Sequence, residues 1–369
     1  MKCVFVNRGD DDGSERGFRT MTLRVGIVGF GLAGRYFHAP LIAAAGMRVH
    51  GIVTSRADEV RRLHADAVVL SSPEALLARD DIDLVVVASP SQFHFSQAHD
   101  ALLAGKHVVV DKPVSITASE AQSLARLARD RKLKLAVFQN RRWDGDFLTV
   151  QKLLREQRLG EIAAFHARWN RFRPEVQDRW RERAEPGSGM LYDLGSHLID
   201  QVLCLFGRPD WIQADVFAQR RGAVADDGFE ILMAKGSLRI SLGVSSLAAN
   251  GDWRYCIHGS RASYFKTGLD PQEDQTRGGM QITDAGFGVE AAERSGRLVM
   301  GADGSVETIP TERGRWLTFY EHMKSSIEND APVPVPAEEA ATVLEVIEAA
   351  RRSSDEGRRL PLHREPRSV

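Results

Sequence analysis

A histidine and two carboxylates lie at helical spacing in "PGSGMLYDLGSHLIDQVLCLFG", residues 186–207. Asp193 and His197 are four residues apart and Asp200 lies seven residues after Asp193, so an α-helix here places all three on one face. Imidazole titrates near neutral pH and is a common general base. A lone helical histidine is more often structural, but the flanking carboxylates, in a chain that also carries a dinucleotide motif, favour acid–base chemistry.

A lysine and a proline end the apolar run "VVVDKPVS", residues 108–115. Strands must end, and proline cannot continue a central ladder, so strand termination alone explains this pattern. Lys112, however, is expected at the carboxyl end of a parallel strand, where such sheets bind ligands in a crevice. We therefore expect Lys112 to point into that crevice, with Pro113 fixing its approach.

A glycine-rich turn, "GFGLAG", follows the first predicted strand, with Gly29, Gly31 and Gly34 in the G-x-G-x-x-G spacing. The first glycine permits a tight turn, the second lets the backbone approach a pyrophosphate, and the third lets helix pack on strand. The helix N-terminus then faces the phosphates. The strand–turn–helix context favours a dinucleotide site, including Phe30 within the turn, over an ordinary Gly-rich turn.

The strand "VHGIVTSR" ends in Thr54, Ser55 and Arg56 instead of the acidic residue that binds the 2′-hydroxyl of NAD. A hydroxyl and a guanidinium suit a 2′-phosphate, which a carboxylate would repel. This favours NADP over NAD. The structural alternative is that Arg56 begins the solvated face of the next helix.

Composition restricts the class of protein. The 369 residues favour two domains, and 43% hydrophobic and 27% charged residues are typical of globular proteins. A net charge of −1 provides no field for nucleic acid or an anionic membrane, which favours a small-molecule partner. The three cysteines lack metal-like spacing and suit a reducing compartment. We expect a cytoplasmic protein with no metal and no membrane span.

The elements that position these residues fall into two halves. Short apolar runs alternate with helical periodicity over residues 22–140, which predicts a Rossmann domain with a doubly wound parallel sheet. Residues 1–21 are expected to be a disordered extension, with Met21 a candidate functional start.

The second half, residues 141–365, has longer segments with alternating or half-alternating polarity, such as "EIAAFHARWNRFRP" and "LRISLGVSSL". They predict an α+β domain with a large, open, mainly antiparallel sheet and a closing C-terminal helix. The open face of that sheet is expected to form a homodimer or homotetramer.

The motifs together resemble a known family. "GFGLAG", "GKHVVVDKP" and "DLGSHLID" resemble the Gfo/Idh/MocA family of sugar and polyol dehydrogenases. "NRRWDGDFLT", "RFRPEVQDRWRE", "YDLGSHLIDQ" and "GLDPQED" are similar to its NADP-dependent scyllo-inositol dehydrogenase branch, and the resemblance runs from Arg24 to Leu362. The family's Glu-Lys-Pro motif has Asp111 in place of glutamate, which keeps the carboxylate.

The resemblance implies a reversible oxidation of a secondary alcohol of a cyclic polyol or sugar, without a metal. It assigns catalytic roles to Lys112, Asp193 and His197. His197 would accept the hydroxyl proton, Lys112 would stabilise alkoxide charge, and Asp193 would orient substrate and base. The alternatives are a dehydrogenase or reductase of another sugar or cyclic carbonyl compound, and a non-catalytic dinucleotide sensor on the same fold.

Other candidates carry weaker signals. We expect Ser89, Pro90 and His94 to border the cofactor. The alternative is that they belong to an ordinary loop. Trp143 and Tyr192 would line the substrate pocket, as would Trp169, although aromatic residues are more often core. We expect the loop "RFRPEVQDRWRE" to cover the cleft. The alternative is that it is an ordinary charged loop exposed to solvent. Its arginines are Arg171, Arg173, Arg179 and Arg181.

Overall fold

The structure is a computed structural model that describes residues 22–249 and 253–362. The predicted extension at residues 1–21 and the last three residues of the predicted second domain, 363–365, lie outside the described residues.

Six short strands of the first half pair in parallel. They are β1 (Arg24–Val28), β2 (Arg48–Val53), β3 (Val68–Leu70), β4 (Leu84–Val87), β5 (His107–Asp111) and β6 (Leu135–Phe138). Their order in the sheet is β3-β2-β1-β4-β5-β6. Helices cover both faces, so the apolar residues of the central strands are almost completely buried and the runs are continuous in sequence. The predicted doubly wound sheet is confirmed.

The helices of this half connect successive strands. They are α1 (Ala39–Ala44), α2 (Ala57–Leu63), α3 (Pro73–Leu77), α4 (His94–Leu103) and α5 (Ala118–Asp130). A π-helical segment, Gly34–His38, precedes α1 within the single helix that the sequence predicted. Helix α5 begins with a capping box in which Thr117 and Glu120 satisfy each other's backbone N–H groups.

Nine strands of the second half form a larger sheet. They are β7 (Ile162–Arg168), β8 (Trp211–Phe217), β9 (Gly228–Lys235), β10 (Leu238–Ser245), β11 (Tyr255–Gly259), β12 (Ala262–Lys266), β13 (Gly296–Met300), β14 (Val306–Ile309) and β15 (Leu360–Pro361). Their order is β14-β13-β12-β11-β7-β10-β9-β8-β15. Only the central β7 and β10 are parallel, and the other described pairs are antiparallel. The predicted mixed α/β class with a mainly antiparallel second sheet is confirmed.

Five α-helices accompany this sheet. They are α6 (Gly145–Arg155), α7 (Ser196–Phe206), α8 (Gln272–Arg277), α9 (Leu317–Glu328) and α10 (Ala337–Glu356). A second π-helical segment, Leu191–Gly195, leads directly into α7. None of the helices in the two described ranges is long and apolar enough to cross a membrane.

Helix α10 joins the two halves. On one side, Glu348 accepts a hydrogen bond from the backbone of Ala118 at the start of α5 (2.8 Å). On the other side, the hydroxyls of Ser353 and Ser354 accept from Ala214 N and Val216 N of β8 (3.0 and 2.9 Å). The helix therefore completes the core of both halves.

Candidate active site

The glycine turn after β1 has the geometry that a dinucleotide site requires. Gly29 has φ +99°, and a Cβ there would lie 2.7 Å from Ala88 O. A Cβ at Gly34 would lie 2.1 Å from Gly29 O, so only glycine lets the following helix pack this closely. A Cβ at Gly31, by contrast, would meet nothing within 4 Å. The turn is thus closed towards the core and open at Gly31, where a pyrophosphate would approach, so the residues present fit a dinucleotide.

The turn lies where the strand order reverses. Strands β1 and β4 are neighbours whose connecting helices lie on opposite faces, which opens a crevice at their carboxyl ends. Ser89 and Pro90 follow β4 at this edge, and Ser89 donates to Gln97 (2.7 Å). Phe30 is buried beneath the turn against the ring of His64. The structure therefore brings Ser89 and Pro90 beside the glycine turn.

Ser55 and Arg56 are exposed at the carboxyl end of β2. One guanidinium nitrogen of Arg56 lies 3.4 Å from Phe30 O and 3.9 Å from Glu59. Glu59 is also the partner of Arg35. The Arg56 side chain thus lies beside the glycine turn with more than half of its surface exposed (58%).

Lys112 and Asp193 form an ion pair between the two halves of the chain. Lys112 follows β5, and its Nζ donates to Asp193 Oδ1 (2.8 Å) and to Asp193 O (2.6 Å). The peptide between Lys112 and Pro113 is cis. Burial raises the pKa of Asp193, but the charges of Lys112, Arg181 and Arg171 outweigh it and hold that pKa well below its usual range. Asp193 is therefore ionised at neutral pH.

His197 lies in the first turn of α7 and is almost completely buried. Its Nδ1 is 3.0 Å from Gln139 Oε1, a carbonyl oxygen that accepts, so Nδ1 carries the hydrogen and Nε2 keeps its lone pair. The imidazole stacks on Trp169, with ring centroids 5.8 Å apart. Burial and the charges of Lys112 and Arg141 hold the pKa of His197 well below its usual value. The ring is thus neutral and oriented as a base.

Asp200 does not join this pair, which corrects the expectation that it shares a face with Asp193 and His197. Both of its oxygens accept from the guanidinium of Arg142 (2.7 and 2.8 Å). Asp193 lies in a π-helical turn, whose i→i+5 hydrogen bonds shift the register assumed for a regular α-helix. Asp200 is therefore a structural partner of Arg142.

The predicted catalytic side chains line one cavity of about 350 Å³. Asp111, Lys112, Asp193 and His197 line it, together with the helix start after the glycine turn. Its volume lies at the lower end of the range for small-molecule sites, roughly 300–1,000 Å³. The predicted arginine-rich loop lies at this cavity as expected; its lining residues are Arg171, Arg173, Arg179 and Arg181.

Three predicted site residues have different positions. His94 is buried below the loop after β4, with its nitrogens 2.6 Å from Pro113 O and 2.8 Å from Ser89 O, so it links two loops instead of facing the cavity. Trp143 does not line the cavity and packs against Phe319. Tyr192 donates to Ile116 O (3.2 Å) and lies in a small neighbouring recess.

Sequence reasoning missed three residues that line or shape the cavity. Gln139 follows β6 at the same edge as Lys112, a position at a strand end that itself signals a site residue. Glu273 accepts from Arg141 across the cavity. Asn140 lies between Gln139 and Arg141 in sequence and also lines the cavity. Asn140 and Glu273 lie in the quoted segments "NRRWDGDFLT" and "GLDPQED", but those segments indicate no role for either residue. Only the three-dimensional arrangement brings the three residues together.

Two family models match most of the chain. The model described as an oxidoreductase family, NAD-binding Rossmann fold, matches residues 23–139. The model described as an oxidoreductase family, C-terminal alpha/beta domain, matches residues 151–362. The chain belongs to the Gfo/Idh/MocA family. It is an oxidoreductase of that family with a fold that binds a nicotinamide dinucleotide.

Individual members of the Gfo/Idh/MocA family are similar over nearly the full length. The scyllo-inositol 2-dehydrogenase (NADP(+)) IolW of Bacillus subtilis is 44% identical, covering 92% of this chain and 96% of its own. The oxidoreductase YdgJ of Escherichia coli is 41% identical, covering 90% and 96%. The structure of YvaA from Bacillus subtilis has a TM-score of 0.90 at 42% identity, covering 93% and 99%. The predicted resemblance to the scyllo-inositol dehydrogenase branch is confirmed.

Proposed function

We propose that this protein is an NADP-dependent dehydrogenase that reversibly oxidises a secondary alcohol of a cyclic polyol or sugar, of the scyllo-inositol type. The observation that carries the proposal is the neutral His197 beside the Lys112 and Asp193 pair, in one cavity next to the open glycine turn. The name of the Bacillus subtilis relative supports the substrate class and the cofactor.

His197, Lys112 and Asp193 have separate roles in alcohol oxidation. Nε2 of His197 accepts the proton of the substrate hydroxyl, because Nδ1 is already held by Gln139. Lys112 stabilises the negative charge that develops on the substrate oxygen, and Asp193 keeps the Lys112 ammonium in position. A bound nicotinamide cofactor supplies the hydride acceptor for the substrate carbon. Burial of His197 and its stacking on Trp169 keep water from the base.

Arg56 and Ser55 support NADP as the cofactor. Both are exposed beside the glycine turn, at the strand end where the adenosine ribose of a dinucleotide lies. A guanidinium fork there binds a 2′-phosphate bidentately. The two free cysteines among the described residues, Cys204 and Cys256, support a reducing, cytoplasmic location.

Initial rates on a panel of inositols and aldoses, each with NADP and with NAD, test the proposal. We expect nicotinamide reduction with at least one cyclic polyol or sugar and a preference for NADP. Lys112→Met, prepared identically, is the control for contaminating dehydrogenases, because it removes the charge that stabilises the substrate oxygen. Absence of turnover with every member of the panel, or equal turnover by Lys112→Met, contradicts the proposed function.

A further inference from the structure

The cavity carries more positive than negative side chains. Two carboxylates in its wall each serve two cations. Lys112 and Arg181 share Asp193 (2.8 and 3.3 Å), and Arg141 and Arg277 share Glu273. These shared contacts leave no carboxylate in the wall for additional arginines except Asp111, which accepts from the Lys112 backbone.

Two further arginines of the wall, Arg171 and Arg173, have no ion pair and no side-chain hydrogen bond within the described part of the chain. Arg171 is partly buried and lies above the Trp169 ring, 5.7 Å from its centroid. Burial lowers the pKa of Arg171, and Arg173 adds repulsion, whereas Asp193 raises it. The site therefore holds two adjacent, unpaired guanidinium groups in a partly desolvated cavity.

Such an arrangement is costly unless a ligand compensates it. A buried charge without a partner loses its hydration and gains nothing in exchange. Guanidinium groups match carboxylate and phosphate oxygens in a bidentate geometry, so an anion is the ligand chemistry that this wall fits. Arg171 lines the same cavity as Lys112 and His197, so the anion would lie close to the reacting centre.

We propose that the substrate carries a carboxylate or phosphate group, which Arg171 and Arg173 bind while its secondary alcohol faces Lys112 and His197. This inference rests on the proposed function and narrows its substrate class to acidic sugars or acidic cyclitols. The Bacillus subtilis relative is named for an uncharged cyclitol, scyllo-inositol.

Matched substrate series test the proposal on the full-length, NADP-saturated protein. One series compares glucose, glucuronate and glucose 6-phosphate, and the other compares myo-inositol with its monophosphate. We expect kcat/KM to be at least about 10-fold higher for an acidic member than for its neutral counterpart, the low end of a charge-assisted hydrogen bond. The carboxylate and phosphate arms show which anion is preferred.

Arg171→Met keeps the aliphatic stem and removes the charge. It should lower kcat/KM for the acidic member by about 10–100-fold, a larger factor than the loss on the neutral member, and leave NADP affinity unchanged. Arg183→Met is the matched control, because Arg183 directly follows this loop, lies outside the cavity wall and pairs with Asp178. Arg173→Met is the second variant should Arg171→Met fail to fold.

The outcomes separate the inference from the function it rests on. Preference for neutral polyols, with equal losses on both members in Arg171→Met, overturns the anion site and leaves the dehydrogenase standing. Weakened NADP binding in Arg171→Met would assign Arg171 to the cofactor phosphates and would also overturn the proposed anion site for the substrate. Absence of turnover in both series and with every other inositol and aldose of the panel contradicts the proposed function itself.

Discussion

Gln139 and Trp169 determine how His197 can act. The hydrogen bond from His197 to Gln139 fixes the tautomer, and the Trp169 stack fixes the ring plane. The motif around His197 predicted that residue and Asp193 from sequence, as the strand end predicted Lys112. Gln139 lies 58 residues from His197 and has no motif of its own. The sequence therefore indicated the reactive groups but not the groups that orient them.

His197→Ala should lower kcat for polyol oxidation by about 10²–10⁴, the usual contribution of a general base. NADP affinity should stay within a few fold, because the glycine turn after β1 does not include His197. Steady-state kinetics beside a direct NADP titration measure both quantities. His99→Ala, on the outer part of α4, is the control. Turnover near the wild-type rate in a folded His197→Ala protein would remove His197 from the mechanism.

The acid limb of the pH profile should lie below pH 6.5, the ordinary value for histidine. Oxidation needs the neutral base, and the lowered pKa of His197 keeps that form populated as the pH falls. We expect kcat/KM to stay flat from pH 8 to 6.5 and to decline only at lower pH. Rates measured from pH 4.5 to 9, with enzyme returned to pH 8 as the stability control, test this. A decline centred at or above pH 6.5 contradicts the assignment.

Arg56→Asp should weaken NADP binding by at least about 10-fold while changing NAD binding far less, because it removes a charge-assisted bond and adds repulsion to the 2′-phosphate. Titration of both cofactors against both proteins measures the ratio. Arg61→Asp, at an exposed position on α2, controls for the change of net charge alone. Equal NADP and NAD affinities in the wild type would argue against a 2′-phosphate site.

At the level of elements, the sequence predicted those strands that have a strong hydrophobic pattern. Buried parallel strands are continuous apolar runs, and β1, β4 and β5 were recognisable for that reason. Strand β9 also alternates, with Phe229, Ile231 and Met233 buried, but it was overlooked. The short edge strands β3 and β14, and β13 beside β14, are partly exposed and carry little pattern. The predicted boundary near Asn140 stays a prediction.

The two π-helical segments escaped prediction for a different reason. A single extra residue in a turn leaves the hydrophobic periodicity almost unchanged, so sequence does not distinguish it from an α-helix. The segment Leu191–Gly195 shifts the register between Asp193 and Asp200. It changes the position of Asp200 relative to Asp193, and Arg142 binds both oxygens of the Asp200 carboxylate outside the cavity wall.

Arg142 connects three elements, because it binds Asp200 of α7 and Glu339 of α10 from the turn before α6. Arg142→Met should lower the free energy of unfolding by about 3–5 kcal/mol, because it leaves the buried Asp200 carboxylate without a partner. Urea unfolding followed by circular dichroism measures the loss. Adding Asp200→Leu should restore part of it.

Arg158→Met is the control for this prediction. Arg158 pairs with Glu307 on the surface, where an ion pair contributes only about 0–1 kcal/mol. Equal losses of unfolding free energy in the Arg142 and Arg158 variants would show that the Arg142–Asp200 pair stabilises the protein no more than a surface ion pair does.

On the scale of the whole molecule, β9 of the larger sheet alternates between buried and exposed side chains. Along β9, Ile231 and Met233 are buried beneath the helices, whereas Leu232 on the other face is 49% exposed. Leu232, which lies between Gln213 and Ser241 of the neighbouring strands, is the exposed apolar side chain through which this face would contact another copy of the chain. We therefore propose a homodimer or homotetramer through this face.

Light scattering at micromolar concentration should give a mass of at least twice the 40.9 kDa of one chain. Leu232→Asp should shift the mass towards the monomer, because it places a charge in the proposed apolar interface. Val224→Asp, at an exposed apolar position outside the strands, should leave the assembly unchanged. A wild-type protein that is a clean monomer would refute this arrangement.

Helix α10 also imposes an order on biosynthesis. It packs on α5, which ends at Asp130, yet it begins only at Ala337. A ribosome adding about 5–20 residues per second needs roughly 10–40 seconds to traverse the intervening 200 or so residues. Throughout that interval the nascent Rossmann half has an uncovered apolar flank. We therefore expect the growing chain to need chaperones that shield such surfaces until α10 has left the exit tunnel.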